Sequence, residues 1–334
     1  MKRKVLSLAP LPAEIVEAFI RMSPDVPEFE VIYGHEMSGP ELIEAVRDVD
    51  IVFGDYTFKQ PVSAELVAAA RRLVFVQQPS VGYQHIDVEA CTRAGVRVAT
   101  TAGANTVSVA EHTIAWALCL MKNLFFAHRA VKEGRWPQME VRPVELWQKV
   151  WGIVGLGRIG RAVAERLKPF GLSRILYYDI QRAPEEVEEA LEVEFTSLRG
   201  LLEASDVVSL HAPLTDATRC MINAETLALM KPSAYLINVA RGELVDEAAL
   251  AEALKSGRIA GAGIDVFVEE PVRPENPLLA VGSDKLLLAP HVAGVTDEAA
   301  RRIISMATSN VARVLKGEEP LSVINTPGAP AARG

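Results

Sequence analysis

The stretch 150–161, VWGIVGLGRIGR, constrains this chain more than any other. A short apolar run (Val150, Trp151, Ile153, Val154) leads into Gly155, Leu156, Gly157, Arg158, Ile159 and Gly160. Ile159, Val163, Leu167 and Phe170 then recur with helical spacing. Strand, tight glycine turn and helix in that order make G-x-G-x-x-G a dinucleotide fingerprint. Gly155 permits the turn, Gly157 lets a pyrophosphate approach the backbone, and Gly160 lets helix and strand pack closely. The helix's free N–H groups and positive end face the phosphates. A glycine-rich turn with no ligand is the plain alternative, and the next element weighs against it. The segment 174–179, RILYYD, reads as a second strand ending in Asp179, about 20 residues past the last glycine, where a carboxylate can accept both adenosine ribose hydroxyls. An acid there disfavours a 2′-phosphate, so NAD is expected over NADP. Arg182, just beyond it, argues the other way.

A length of 334 residues suggests two domains with a substantial core. Charged residues at 23% and hydrophobic ones at 49% describe an ordinary globular protein, and a net charge of −8 speaks against nucleic acid or anionic membranes as partners. Cys91, Cys119 and Cys220 are odd in number, scattered and outside any C-x-x-C, so neither a disulfide framework nor a metal site is expected. The opening MKRKVLSLAPLP has too short an apolar run for a signal peptide and reads as a first strand. No segment approaches membrane-spanning length, and a cytoplasmic, reducing setting is the expectation.

Strands expected at 4–8, 29–33, 50–54, 73–77 and 96–99 alternate with helices at 13–21, 39–47, 63–71 and 88–94. Such alternation gives a parallel sheet with helices on both faces. This first unit has no fingerprint after its opening strand, so it is not expected to bind the dinucleotide. Its loop 79–85, PSVGYQH, follows a strand end, and the N–H groups around Gly82 suit a carboxylate as well as they suit an ordinary turn. Residues 101–105 form a small, polar boundary, followed by one long apolar helix over 107–132 and an irregular link at 134–143. Alternation then resumes beyond the fingerprint, with strands at 207–210, 234–239, 259–266 and 286–289 and helices at 224–230 and 246–256. Thr296 is expected to cap a last helix running to 315, with Gly317 as its stop and 326–334 as a disordered tail. The fold class is therefore α/β, with two doubly wound parallel-sheet lobes.

Ligands of open parallel sheets bind outside the carboxyl ends of the strands. Arg241, Glu270 and His291 each fall at or just past such an end in the nucleotide lobe. Taken singly, each has an ordinary structural explanation: a surface arginine, one of an exposed acidic pair with Glu269, a packed loop histidine. Together beside a nicotinamide site they make chemical sense.

Over nearly its full length the chain resembles the D-isomer-specific 2-hydroxyacid dehydrogenases. The matching stretches are GLGRIG at 155–160, NVARGELVDEAAL at 238–250, GAGIDVFVEEP at 261–271, PHVAGVT at 290–296, NTVSVAEHT at 105–113 and SLHAPLT at 209–215. The resemblance implies a Rossmann NAD-binding lobe, residues 105–296, inserted into a smaller flavodoxin-like substrate lobe built from 1–104 and a returning helix in 297–325. It implies that Arg241 binds the substrate's carboxylate and carbonyl oxygen, for which a planar, always charged donor fork is suited. His291 would be the acid/base, and Glu270 would pair with it and raise its pKa. Val81 and Gly82 would hold the carboxylate through backbone N–H groups. Asp265 would help position the nicotinamide side, and His211, Pro213, Ala240 and His291 would line the cofactor. No metal is implied, and the family's long helical region implies a homodimer.

Two positions depart from the family's pattern. Gln148 stands where a glycine often precedes the fingerprint strand, so that turn is expected to differ, and Gln84 replaces an acid in the substrate loop. The expected activity is NAD-dependent interconversion of a small 2-keto acid and its D-2-hydroxy acid, with glyoxylate or hydroxypyruvate as substrate. A phosphoglycerate dehydrogenase is the alternative. Against it stand Asp55, expected to repel a phosphate at the loop 54–59, and the lack of a regulatory domain after the last helix. Formate dehydrogenases of this family carry Gln where Glu270 stands. An NAD(H)-sensing corepressor-like binding protein is the reading from outside enzymology.

Overall fold

The structure, a computed structural model, describes residues 2–282 and 284–327. In chain order the elements are β1 (Arg3–Ser7), α1 (Ala13–Arg21), β2 (Phe29–Tyr33), α2 (Gly39–Ala45), β3 (Ile51–Phe53), α3 (Ala64–Ala69), β4 (Phe75–Gln77), α4 (Val88–Arg93) and β5 (Arg97–Ala99). There follow α5 (Thr106–Met121), α6 (Leu124–Lys132), β6 (Val150–Val154), α7 (Arg158–Leu167), β7 (Arg174–Tyr178), α8 (Glu185–Leu191), β8 (Val193–Phe195), α9 (Leu198–Ala204) and β9 (Val207–Leu210). The chain closes with α10 (Ala224–Leu227), β10 (Tyr235–Asn238), α11 (Glu247–Lys255), β11 (Gly261–Ile264), β12 (Leu286–Leu288) and α12 (Asp297–Leu315). Two compact units result: residues up to Asn105 with those from Asp297 onward, and Thr106–Thr296.

In the first unit the sheet order is β2-β1-β3-β4-β5, all parallel, which is the flavodoxin-like doubly wound order. Its strands are apolar on both faces, as a sheet covered by helices on each side requires. Ser63 and Asp87 cap α3 and α4 through their side chains. The last helix, α12, packs its Ala307, Val311 and Leu315 into the core that also holds Val5, Ile51 and Phe75. Gly317, at φ +82°, ends it, with Glu318 N–H reaching back to Arg313 O. Asn310, on α12, donates to Gln77 and exchanges bonds with Leu321 beyond the helix, and Asn325 ties that segment to Val96 and Val98.

In the second unit the order is β12-β11-β10-β9-β6-β7-β8, again all parallel. Strand order reverses between β6 and β9, and that switch point is where such sheets take their ligands. The glycine turn leaves β6 there. One helical face of α5 (Val109, Ala117, Met121) and one of α7 (Val163, Leu167) cover one side of the sheet, while α9 and α11 cover the other.

Three sequence expectations are corrected. The apolar run 107–132 is two helices, because Asn123 turns the backbone left-handed at φ +50° and α6 starts afresh from it. The stretch between Asp179 and Val207, read without elements, holds α8, β8 and α9, whose short lengths and charged surfaces leave little periodicity to read. The strands expected at 259–266 and 234–239 are shorter, covering Gly261–Ile264 and Tyr235–Asn238, and the helix expected at 224–230 ends at Leu227. Of the expected tail, residues 328–334 lie outside the described residues.

Gln148 makes the left-handed turn a glycine would make, at φ +60°, and its N–H bonds Gly171 O at 2.8 Å. The turn is therefore kept at the cost of placing a Cβ where it crowds the carbonyl. Gln148→Gly is expected to raise the unfolding free energy by up to about 1 kcal/mol, the relief of left-handed strain less the extra chain entropy of glycine. A β-branched Gln148→Val should lose about 1–2 kcal/mol, and urea unfolding of both variants checks the pair.

Candidate active site

At the glycine turn, Gly155 adopts φ +96° and lies so close to the chain after β9 that a Cβ would meet Ala212 N at 2.7 Å and His211 C at 2.8 Å. A Cβ on Gly160 would meet Gly155 O at 2.1 Å, so α7 packs onto the turn only because that position is bare. At Gly157 the same Cβ would meet nothing within 4 Å, which leaves open space in front of the turn. The N–H groups of Gly157, Arg158 and Ile159 find no acceptor among the described residues. A ready anion cradle at a helix N-terminus results, and these residues fit the pyrophosphate of a dinucleotide.

Asp179 stands at the end of β7 and accepts from Leu156 N at 2.8 Å and Ile180 N at 2.7 Å. It thus ties the turn to the neighbouring strand and keeps lone pairs for ribose hydroxyls. Arg182 is not free to meet a 2′-phosphate. Its guanidinium is bound bidentately to Glu188 at 2.9 and 2.7 Å and lies over the Phe195 ring. Hydrogen bonds from Arg182 and Tyr177 hold the Glu188 carboxyl down at about 2. His211 and Pro213 follow β9; His211 Nε2 is 3.0 Å from Ser209 Oγ, and the Pro213 carbonyl accepts from Thr218 Oγ1.

Arg241, Glu270 and His291 are brought to the carboxyl edge of β10, β11 and β12. Asn238, buried at the end of β10, shapes the first loop by accepting from Ala240 N and donating to Arg241 O at 2.8 Å. Gly242 lets this loop touch the next, since a Cβ there would sit 1.9 Å from Phe267 C. Glu270 Oε1 accepts from Phe267 N at 3.0 Å, and its Oε2 lies 2.8 Å from His291 Nδ1. His291 is left-handed at φ +55° and donates its N–H to Asp265 O at 2.8 Å. The buried Asp265 carboxylate accepts from Val292 N and Ala293 N, both at 2.8 Å. Asp265 therefore pins the loop that carries His291, a backbone role that its place in the sequence did not disclose. Asn238 and Gly242 fall in the matching stretch 238–250 without a role that the sequence assigns, although an Asn ending a buried strand and a Gly following Arg241 are local signals of one.

The hydrogen bond to Glu270 raises the His291 pKa above its ordinary value, against burial and the Arg241 charge. Burial pulls Glu270 upward, yet its bonds to His291 and Phe267 N–H outweigh that and hold it below the usual carboxylate range. Burial raises Asp265 despite its two backbone donors. With Nδ1 committed to Glu270, His291 keeps Nε2 for an outside acceptor, and the two side chains remain 45% and 38% exposed.

In the first unit, Ser80 Oγ donates to Gly82 O at 2.7 Å and receives Gln78 Nε2. The N–H groups of Val81 and Gly82 find no acceptor among the described residues. Asp55 is fully buried, and its carboxylate accepts from Thr57 N, Thr57 Oγ1, Lys59 N and Gln60 N. It does not present a bare charge to repel a phosphate, contrary to what its place in the loop suggests.

The family model "D-isomer specific 2-hydroxyacid dehydrogenase, NAD binding domain" matches residues 114–293. The chain is 43% identical over 86% of its length to the glyoxylate reductase of Thermofilum pendens, covering 85% of that protein. It belongs to the D-isomer-specific 2-hydroxyacid dehydrogenases. It is 38% identical to the D-3-phosphoglycerate dehydrogenase of Methanocaldococcus jannaschii, over 94% of this chain and 58% of that one. Among solved structures, the D-lactate dehydrogenase of Aquifex aeolicus, complexed with NAD and lactic acid, is 30% identical with a TM-score of 0.83, over 98% of this chain and 100% of that one. As a member of the family, the chain is an NAD-dependent oxidoreductase that interconverts a 2-keto acid and its D-2-hydroxy acid.

The pH dependence follows from the His291–Glu270 bond. If His291 is the proton donor, reduction needs its protonated imidazole, and the rate should fall as pH rises through the raised His291 pKa. Glu270→Gln removes the main cause of that rise, and the alkaline limb should move to lower pH. A steady-state pH profile of both proteins tests the coupling; an unmoved limb refutes it.

Proposed function

We propose that this enzyme reduces a short, unphosphorylated 2-keto acid, with glyoxylate or hydroxypyruvate the preferred substrate. Arg241 takes the carboxylate and the carbonyl oxygen, and the N–H groups of Val81 and Gly82 take the carboxylate. His291 donates the Nε2 proton to the carbonyl oxygen, and Glu270 stabilises the imidazolium from Nδ1. Bound NADH supplies the hydride. Gly155, Leu156, Gly157, Arg158, Ile159, Gly160, Asp179, His211, Pro213, Ala240 and Asp265 are assigned to the cofactor's side.

One observation carries the choice of substrate: the loops assigned to the acid offer no second anion site. Between Gly54 and Gln60 the only cation is an exposed Lys59. His85, in the loop that carries Val81 and Gly82, is held toward neutrality by burial. An exposed ammonium returns only about 0–1 kcal/mol in an ion pair. Around both loops stand exposed Tyr56, Phe58 and Tyr83 instead of arginines. The glyoxylate reductase of Thermofilum pendens being the nearer in identity of the two relatives described supports the same reading.

NADH consumption with a panel of 2-keto acids checks it. Glyoxylate or hydroxypyruvate should exceed phosphohydroxypyruvate in kcat/KM by at least about tenfold, which is about 1.4 kcal/mol of transition-state binding. Equal or better turnover of the phosphorylated acid overturns the assignment, and NADH binding without any turnover would favour a sensor.

The second unit also carries exposed Leu124, Phe125, Val131, Trp136, Met139 and Trp147 on α6 or between it and β6. Apolar surface of this extent on one stretch marks a protein interface, and a homodimer is the proposed occupant. Sedimentation at micromolar concentration should show twice the monomer mass, and a monomer there refutes the dimer. No helix among the described residues is long and apolar enough to cross a membrane, and the three free cysteines suit a reducing compartment.

A further inference from the structure

At the switch point between β6 and β9, a chain of side chains runs from Trp151 on β6 through Ser209 on β9 to His211, just past the end of β9. Trp151, fully buried on β6, donates its indole N–H to Ser209 Oγ at 2.9 Å. Ser209 Oγ is in turn 3.0 Å from His211 Nε2. Beyond it, His211 Nδ1 is buried and has no hydrogen-bond partner.

The direction of each proton follows from what each group can do. Indole N–H only donates, so it occupies a lone pair of Ser209 Oγ and leaves the serine proton to be placed. If that proton goes to His211 Nε2, then tryptophan, serine and Nε2 are all satisfied, and the single loose group is an N–H at Nδ1. If Nε2 instead donates to the serine, the buried hydroxyl proton has nowhere to go and Nδ1 is left as a bare acceptor. The first arrangement strands one polar group and the second strands two, so the first is favoured by the cost of one more unpaired buried group. Burial keeps the ring neutral, down to a pKa of about 3, so it stays a one-donor, one-acceptor group at working pH.

The backbone of the residue that carries this stranded group lies at the ligand-binding edge. His211 N–H bonds Val154 O at 2.7 Å, and its carbonyl carbon lies against Gly155, the first glycine of the fingerprint. We infer that the Trp151–Ser209–His211 chain locks His211 as the Nδ1–H tautomer, and that this N–H donates to an oxygen of the bound dinucleotide. The inference deepens the family's cofactor binding: ribose and phosphate oxygens are acceptors, so a fixed donor suits them and a fixed acceptor would not. His211 touches the cofactor in this assignment, whereas Ser209 and Trp151 are positioning residues that act through it.

Ring-specific ¹H–¹⁵N spectra of the full chain read the tautomer directly. Free wild-type protein should show His211 protonated at Nδ1 and bare at Nε2, Ser209→Ala should shift it toward the Nε2–H form, and NADH should move the Nδ1–H resonance. In NADH titrations His211→Asn, whose amide N–H takes the place of Nδ1–H, should bind within about threefold of wild type, and His211→Leu should bind at least about tenfold more weakly. A simple packing role would move both variants together. An Nε2–H tautomer in the wild type, an Nδ1–H signal indifferent to NADH, or equal affinities for the Asn and Leu variants overturns the inference while leaving the family's cofactor intact. Wild-type protein that binds no NADH overturns both.

Discussion

At two points on the carboxyl edge of the second sheet there is no room for a methyl group, and the candidate site depends on both. Gly155 lies against His211 and Ala212, and Gly242 against Phe267. The first contact puts the glycine turn at the place where strand order reverses. The second brings the Arg241 loop against the loop that carries Glu270. Side chains far apart in sequence meet because backbones meet first. Such contacts tolerate no compromise, since backbone cannot move aside as the end of a flexible side chain can.

The reacting end is then arranged by a division between buried and open groups. Asp265 and Asn238 are fully buried and spend their hydrogen-bonding capacity on loop backbone. Glu270 is intermediate, with one oxygen on Phe267 N–H and the other on His291. His291 is half exposed, in a left-handed conformation held by Asp265 on both sides of its own peptide. That strain is bearable because three hydrogen bonds over-determine the loop, and it leaves Nε2 toward an acceptor outside the protein's own network.

Much of this was legible in sequence because it rests on period and punctuation. The glycine fingerprint, the acid after β7, the alternation of the first unit and the three strand-end residues all carry local signals. What was hidden depended on partners distant in sequence. Asn123 is itself a local signal, since Asn tolerates the left-handed region, but it is a single weak one in the middle of an apolar helical run. The segment with α8, β8 and α9 is too short and too charged for its period to stand out. Gln148 is the opposite case: its residue type suggests a changed turn, yet it keeps the left-handed conformation of a glycine, with its N–H on Gly171 O.

Charge at a strand end is the most misleading of these signals. Asp55, Asp179 and Asp265 each follow a strand, where chemistry is expected, and each accepts two or more backbone N–H groups. An acid in that position can react with a ligand or tie a loop, and its residue type is the same in both roles. The number of donors it has already engaged separates them. Asp55 is saturated and buried, so its charge is largely compensated by N–H dipoles and says little about the substrate. Asp179 is engaged only once per oxygen and is partly open, so it still has lone pairs to offer. By the same count, the residues assigned to the ligands have further groups with capacity left, among them the N–H groups of Gly157, Arg158, Ile159, Val81 and Gly82, the His291 Nε2 and the His211 Nδ1. Nearly all of these are donors, and the compounds they suit are rich in acceptor oxygens: a dinucleotide and a 2-keto acid.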